Sequence, residues 1–131
     1  MSGKRVLLDS NIIIYLSKGL LDIDEILAKY DEFYISIITY MEVLGYAFED
    51  LEEQKLIMQL LEQFEIIHVN MEIAKEVISM RQKKRIKLPD AIILATAKIL
   101  GCDLMTYNVE DFKHIEEPVT IVKSELKTTK T

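Results

Sequence analysis

Five short apolar runs, each separated from most of its neighbours by a longer stretch of helical pattern, constrain this chain more than any other feature. They are RVLLD (5–9), FYISI (33–37), EIIHV (65–69), DLMT (103–106) and VTIV (119–122). None alternates strictly between apolar and polar residues, so each suits a strand buried on both faces. Between them the periodicity predicts helices over 11–17, 24–30, 39–48, 51–64, 71–84 and 89–100, with Leu56, Leu60, Leu61 and Phe64 on one stripe. Strands interleaved with helices in this way read as an α/β domain, a parallel sheet covered by helices on both sides.

The 131 residues, half of them apolar, suffice for one domain with a real core. We expect that domain over 1–124 and a polar tail over 125–131. The longest apolar run, AIILATA, is far short of the roughly 18–20 residues a membrane span needs. The N-terminal apolar run stops after three residues at Asp9, which does not resemble a signal peptide. A lone cysteine, Cys102, fits a core position and a reducing, cytoplasmic setting. The four glycines, at 3, 19, 45 and 101, are never clustered, which argues against a phosphate-binding loop or a dinucleotide site. CxxC, HExxH and serine-elbow motifs are missing. His68, inside the third run, reads as a core or edge histidine, and His114 as a surface one.

Carboxylates remain. In open α/β sheets ligands bind beyond the carboxyl ends of the strands. Asp9 ends the first strand and is followed by Ser10 and Asn11; Thr39 and Glu42 follow the second; Thr106, Asn108, Glu110 and Asp111 follow the fourth. Asp90 opens the helix that feeds the fourth strand from the opposite end, unless the helix before it folds back to raise it. Each has a local explanation. Asp9 can cap the helix after it. Thr39-x-x-Glu42 matches a capping box. Asn108 suits a turn into a short helix. Asp90, beside Pro89, complements a helix dipole. Asp9 is the hardest to explain as structure alone, because a charge ending an apolar strand is costly unless paired, hydrogen-bonded or metal-bound. Converging on one concave site, these oxygen donors suit Mg²⁺ or Mn²⁺ rather than zinc, the usual equipment for phosphodiester hydrolysis.

Net charge is −6, the wrong sign for a general nucleic-acid binder. The charge is uneven, however. RQKKRIK (81–87) carries five cations, leaving 11 Lys and Arg against 22 Asp and Glu elsewhere. The patch complements a helix C-terminus or contacts phosphate, and it ends three residues before Asp90.

LLDSN around Asp9, ISIITYMEVLGY around Glu42 and LPDAIILATAKILGCDLMTYNVEDF (88–112) resemble, in order along almost the whole chain, the PIN-domain ribonucleases, and in particular the VapC-type toxins of toxin–antitoxin pairs. The resemblance implies a three-layer α/β/α sandwich with a central five-stranded parallel sheet of order 3-2-1-4-5. It implies that Asp9, Glu42 and Asp90 gather Mg²⁺ or Mn²⁺, and that Asn108 stands where many members carry a fourth acid. Thr106 matches a residue lining the site, and Ser10 and Asn11 match positions that orient Asp9. Tyr107 stands where arginine is frequent, and Arg81, Lys83, Lys84, Arg85 and Lys87 compensate as RNA contacts. A cognate antitoxin, an RNA substrate and a homodimer are the implied partners; YMEVLGYAF and LIMQLLEQF carry apolar surface for them, or simply face the core. Two rival readings are an inactive PIN-like module that binds RNA or protein, and a phosphoacceptor domain. The second is weakened by Ser10, which stands where such domains place another acid.

Overall fold

The computed structural model describes residues 4–46, 48–112 and 121–123. The end of the proposed domain at 124, the tail 125–131 and His114 lie outside the described residues. β1 (Arg5–Leu8), β2 (Glu32–Ser36), β3 (Glu65–Ile67), β4 (Asp103–Thr106) and β5 (Ile121–Lys123) form one sheet of order β3-β2-β1-β4-β5. Every pairing is parallel. Each of the first three crossovers carries two helices: α1 (Ser10–Ser17) and α2 (Ile23–Lys29), α3 (Ile37–Leu44) and α4 (Leu51–Leu61), α5 (Met71–Lys83) and α6 (Leu88–Leu100). A 3₁₀ turn (Val109–Asp111) follows β4.

The sheet is the middle of three layers because its central strands are apolar on both sides. Along β1, Val6 and Leu8 join one core with Ile12, Ile35, Ile57 and Met105, beneath α1 to α4. Leu7 between them joins the other with Ile73, Val77, Leu94 and Leu104, beneath α5 and α6. Successive strand side chains point to opposite faces, so a continuous apolar run feeds both cores at once.

Two sequence expectations shift. In α4 the buried positions are Ile57 and Leu61, with Phe64 just beyond, while Leu56 is exposed. The 57/61/64 spacing holds one helical face as well as the expected stripe does, and it takes the β-branched residue inward. His68 lies exposed just past β3, which ends at Ile67.

Helix ends set the positions of the functional candidates. Gly101 caps α6 with φ 65°, ψ 39°, a left-handed conformation that glycine adopts without penalty. A Cβ placed there would lie 3.8 Å from an Arg5 guanidinium nitrogen. The C-terminus of α6 therefore sits at the edge where β1 begins. Thirteen residues span about 20 Å of helix, so its N-terminus, with Asp90, reaches the opposite edge, where β1 and β4 end. The helix before it does fold back: α5 packs along α6, and their exposed corner carries the basic run.

Candidate active site

Three strand ends meet at the carboxyl edge. β1 gives way to Asp9, whose N–H donates to Met105 O at 3.0 Å and so prolongs the β1–β4 pairing by one residue. Asp9 then caps α1, as the sequence allows. Its side chain does more than cap. Oδ1 accepts from the Ser10 N–H at 2.8 Å, and Oδ2 accepts from the Thr106 hydroxyl at 2.8 Å. Asp9 is 9% exposed. A nearly buried carboxylate requires donors of this kind, and here one comes from the next residue and one from across the sheet.

Glu42 is the clearest departure from local sequence logic. The capping box does not form. Ser36, three residues before Thr39, caps α3 instead, its hydroxyl accepting from the Ile38 N–H at 3.1 Å. Ser36 is the last residue of β2, so helix and strand share it and the helix starts earlier than the box requires. Glu42, relieved of capping, accepts a 2.6 Å hydrogen bond from the Ser10 hydroxyl. Ser10 thus joins two carboxylates, its N–H on Asp9 and its O–H on Glu42.

The fourth strand contributes a second brace. The Thr106 hydroxyl, fully buried, donates to Asp9 and accepts from the Asn108 N–H at 3.1 Å. Asn108 precedes the 3₁₀ turn, as expected, but its side chain makes no capping hydrogen bond there. Asn11 Oδ1 accepts from the Tyr107 N–H at 3.1 Å. It ties α1 to the β4 loop, and the Tyr107 ring stacks edge-on against Tyr15, centroids 5.2 Å apart. Asp90 lies half-buried in the first turn of α6 at this same edge.

Among the described residues no group of three or more His, Cys, Asp or Glu is close enough to hold a metal ion by itself. Asp9, Glu42, Asp90 and Asn108 share an edge, and Ser10 joins the first two of them. The donors still fit a hard divalent cation. All are oxygens, and Mg²⁺ keeps several waters while taking one or two carboxylates together with substrate phosphate oxygens.

The basic run borders a separate, open groove of about 830 Å³ at the α5–α6 corner. Arg81, Lys84, Arg85 and Lys87 line it over an aliphatic floor that includes Val77 and Ile86; Lys83 is exposed but outside the lining. Arg81 also fastens the corner, its Nε donating to Ile86 O at 3.2 Å.

Comparison with known proteins agrees with this architecture. A PIN domain family model matches residues 6–118. A chain of a toxin–antitoxin complex from Klebsiella pneumoniae is 35% identical, with TM-score 0.75, over 90% of this chain and 96% of that one. VapBC-1 from nontypeable Haemophilus influenzae gives 26% identity and TM-score 0.72 over 91% and 97%. DNA-bound VapBC from Salmonella typhimurium shares the fold at TM-score 0.79 with 18% identity, over 92% and 98%. Among curated protein sequences, none matches significantly.

Proposed function

The chain belongs to the PIN domain family, and from that premise we propose that it is a divalent-metal-dependent endoribonuclease, the toxin of a VapBC-type pair. The observation that carries this reading is the linkage Asp9–Ser10–Glu42 at the carboxyl edge of a parallel sheet. Asp9, Glu42 and Asp90 hold Mg²⁺ or Mn²⁺, with Asn108 as a neutral oxygen donor at a fourth position. When bound, such an ion lowers the pKa of a coordinated water and neutralises charge on the phosphodiester. The protein's part is orientation. Ser10 and Thr106 each hold one oxygen of Asp9, so its carboxylate meets its ligand with little freedom to lose. Arg81, Lys83, Lys84, Arg85 and Lys87 hold the RNA backbone by charge.

An antitoxin is the proposed protein partner. A groove of about 340 Å³ between α1, α3 and α4, lined by Ile14, Val43, Tyr46, Phe48 and Ile57 together with Lys18, Glu49 and Glu53, offers it a seat that is part apolar and part charged. Exposed Met41, Leu56 and Met58 extend the apolar surface toward a second copy of the chain in a homodimer. A cytoplasmic location follows from the reading as an intracellular RNA-cleaving toxin. Among the described residues no helix is long and apolar enough to cross a membrane.

Incubating the purified protein with mixed single-stranded and structured RNAs in Mg²⁺ tests the proposal. The expected result is cleavage that EDTA abolishes and that Asp9→Asn lowers by at least about 100-fold while the variant stays folded, the scale on which losing a bound ligand's anchor acts. Cleavage by Asp9→Asn at the wild-type rate contradicts it. The neutral Asn108 and the loosely gathered acids favour one second reading, an inactive module that binds RNA or protein. It predicts binding without turnover in any divalent metal.

A further inference from the structure

Two tyrosines, Tyr15 and Tyr107, stand at the carboxyl edge beside the groups that brace Asp9. Tyr107 follows Thr106, whose hydroxyl donates to Asp9 Oδ2. Its own N–H donates to Asn11 Oδ1, two residues beyond Asp9. Its ring stands edge-on to that of Tyr15, at 85° with centroids 5.2 Å apart. Asn11 and Tyr15 lie four residues apart on α1 and so share a face. One face of α1 therefore holds Tyr107 twice, by its backbone and by its ring.

Core filling explains part of this arrangement, since both rings pack against the cluster beneath α1 to α4. It does not explain the rest. Tyr15 and Tyr107 are only half-buried. Neither phenol oxygen bonds to another described residue, and neither is buried without a partner, so both open to water. Tyrosines that serve the fold behave differently here. Tyr30 donates to Asp103 and Tyr34 to Glu32, each at 2.9 Å. An edge-on pair also covers only one of its four ring faces. What remains at this edge is a fixed, partly open aromatic surface next to acids.

We propose that Tyr107, propped by Tyr15, is a base-stacking residue, its ring carrying one unpaired nucleobase of the strand bound at the acidic edge. The inference rests on the RNA reading given above. Stacking suits this place because it needs no charge, whereas a phosphate contact among carboxylates needs a cation to offset them. A ring already held on two sides loses little freedom when a base settles on it. Every base has a π-face, so the contact holds a nucleotide without selecting its sequence. The two grips then differ in kind: the cations of 81–87 hold phosphates, and Tyr107 holds a base.

Fluorescence anisotropy with two short labelled RNA strands, one intact and one abasic throughout, tests it. Binding is measured in EDTA, so that neither strand is cut, for wild type, Tyr107→Met and Tyr107→Phe. Methionine fills the space and still contacts the Tyr15 ring through its sulfur, so the fold is kept; phenylalanine keeps the stacking face. Wild type should bind the abasic strand about ten-fold more weakly than the intact one, the scale of one base stacked on one ring. Tyr107→Met should lose the same factor on the intact strand and nothing on the abasic strand, and Tyr107→Phe should match wild type. Equal binding of the two strands by wild type overturns the inference without recourse to a variant. Equal weakening of both strands in Tyr107→Met assigns the residue to packing, and equal weakening in Tyr107→Met and Tyr107→Phe assigns the effect to the hydroxyl; either also overturns it. All three leave the RNA reading standing. If wild type binds neither strand, that reading falls and this inference with it.

Discussion

Ser10 is the residue on which the two best-placed acids depend, because its backbone and side chain serve different carboxylates. Exchanging either acid changes the environment of the other through this one serine. Cys102 shows the opposite case, a polarisable group with no chemistry to perform. Burial pushes its thiol up from an ordinary 9.0 to about 11, against a lowering influence of Arg5. The neutral thiol is the form the fold accepts. Its contribution to stability is therefore complete below about pH 9 and is lost as pH rises from there toward 11. Denaturant midpoints should be flat from pH 7 to 8.5 and decline above 9, and alkylation of the native protein at pH 8 should be slow until it is unfolded. Fast alkylation at pH 8 contradicts the buried, protonated thiol. Cys102 was readable from the sequence as a core residue. The role of Glu42 was not, because its competing partner is Ser10, 32 residues away, and a local capping motif outranks a distant hydroxyl when only the sequence is visible.

Among the elements, strands were the most legible. A strand buried on both faces must be apolar along its covered middle, and Val6, Leu7 and Leu8 of β1 and Leu104 and Met105 of β4 are. Helix ends were readable where a single residue decides them. Asn70 caps α5 through its side chain, accepting from the Ile73 N–H at 2.8 Å, and Gly101 closes α6. They were not readable where strand and helix share a residue, as at Ser36. The edge reached by Asp90 also stayed open in the sequence. It depends on where α6 ends, which the approach of Gly101 to Arg5 decides. Gly101→Ala should destabilise the protein by roughly 1–2 kcal/mol, since an L side chain at positive φ carries about that penalty. The steric room is adequate, with 3.8 Å to the nearest atom, so the loss reports backbone strain and not a clash. Urea unfolding at constant m-value measures it. An unchanged midpoint would mean that the left-handed cap is relaxed at no cost.

At the scale of the whole molecule, charge is divided by place. The cations at the α5–α6 corner stand against an otherwise acidic protein, so on the proposed reading one groove is where RNA phosphates are to be held. Association with RNA should weaken steeply with salt. Replacing Lys84 and Arg85 together by alanine should lower affinity across all RNA sequences and reduce the log–log salt slope by about 1–2, one for each phosphate no longer neutralised. An unchanged slope would place the RNA elsewhere. The topology that brings four polar strand and helix ends to one edge was legible as a class of fold, because alternating strands and helices allow few arrangements. The joining of Asp9 to Glu42 through Ser10, and of Asp9 to Thr106, was not, because those hydrogen bonds depend on side-chain directions that spacing does not specify.

The central claim is that acids from three separate elements serve one divalent ion. Calorimetric titration of Mn²⁺ into wild type, Asp9→Asn and Asp90→Asn tests it most directly, since it requires no knowledge of the RNA. Saturable binding by wild type that is lost in both variants is the predicted result. Binding that survives Asp90→Asn unchanged would contradict convergence and return Asp90 to the role of a helix-dipole acid.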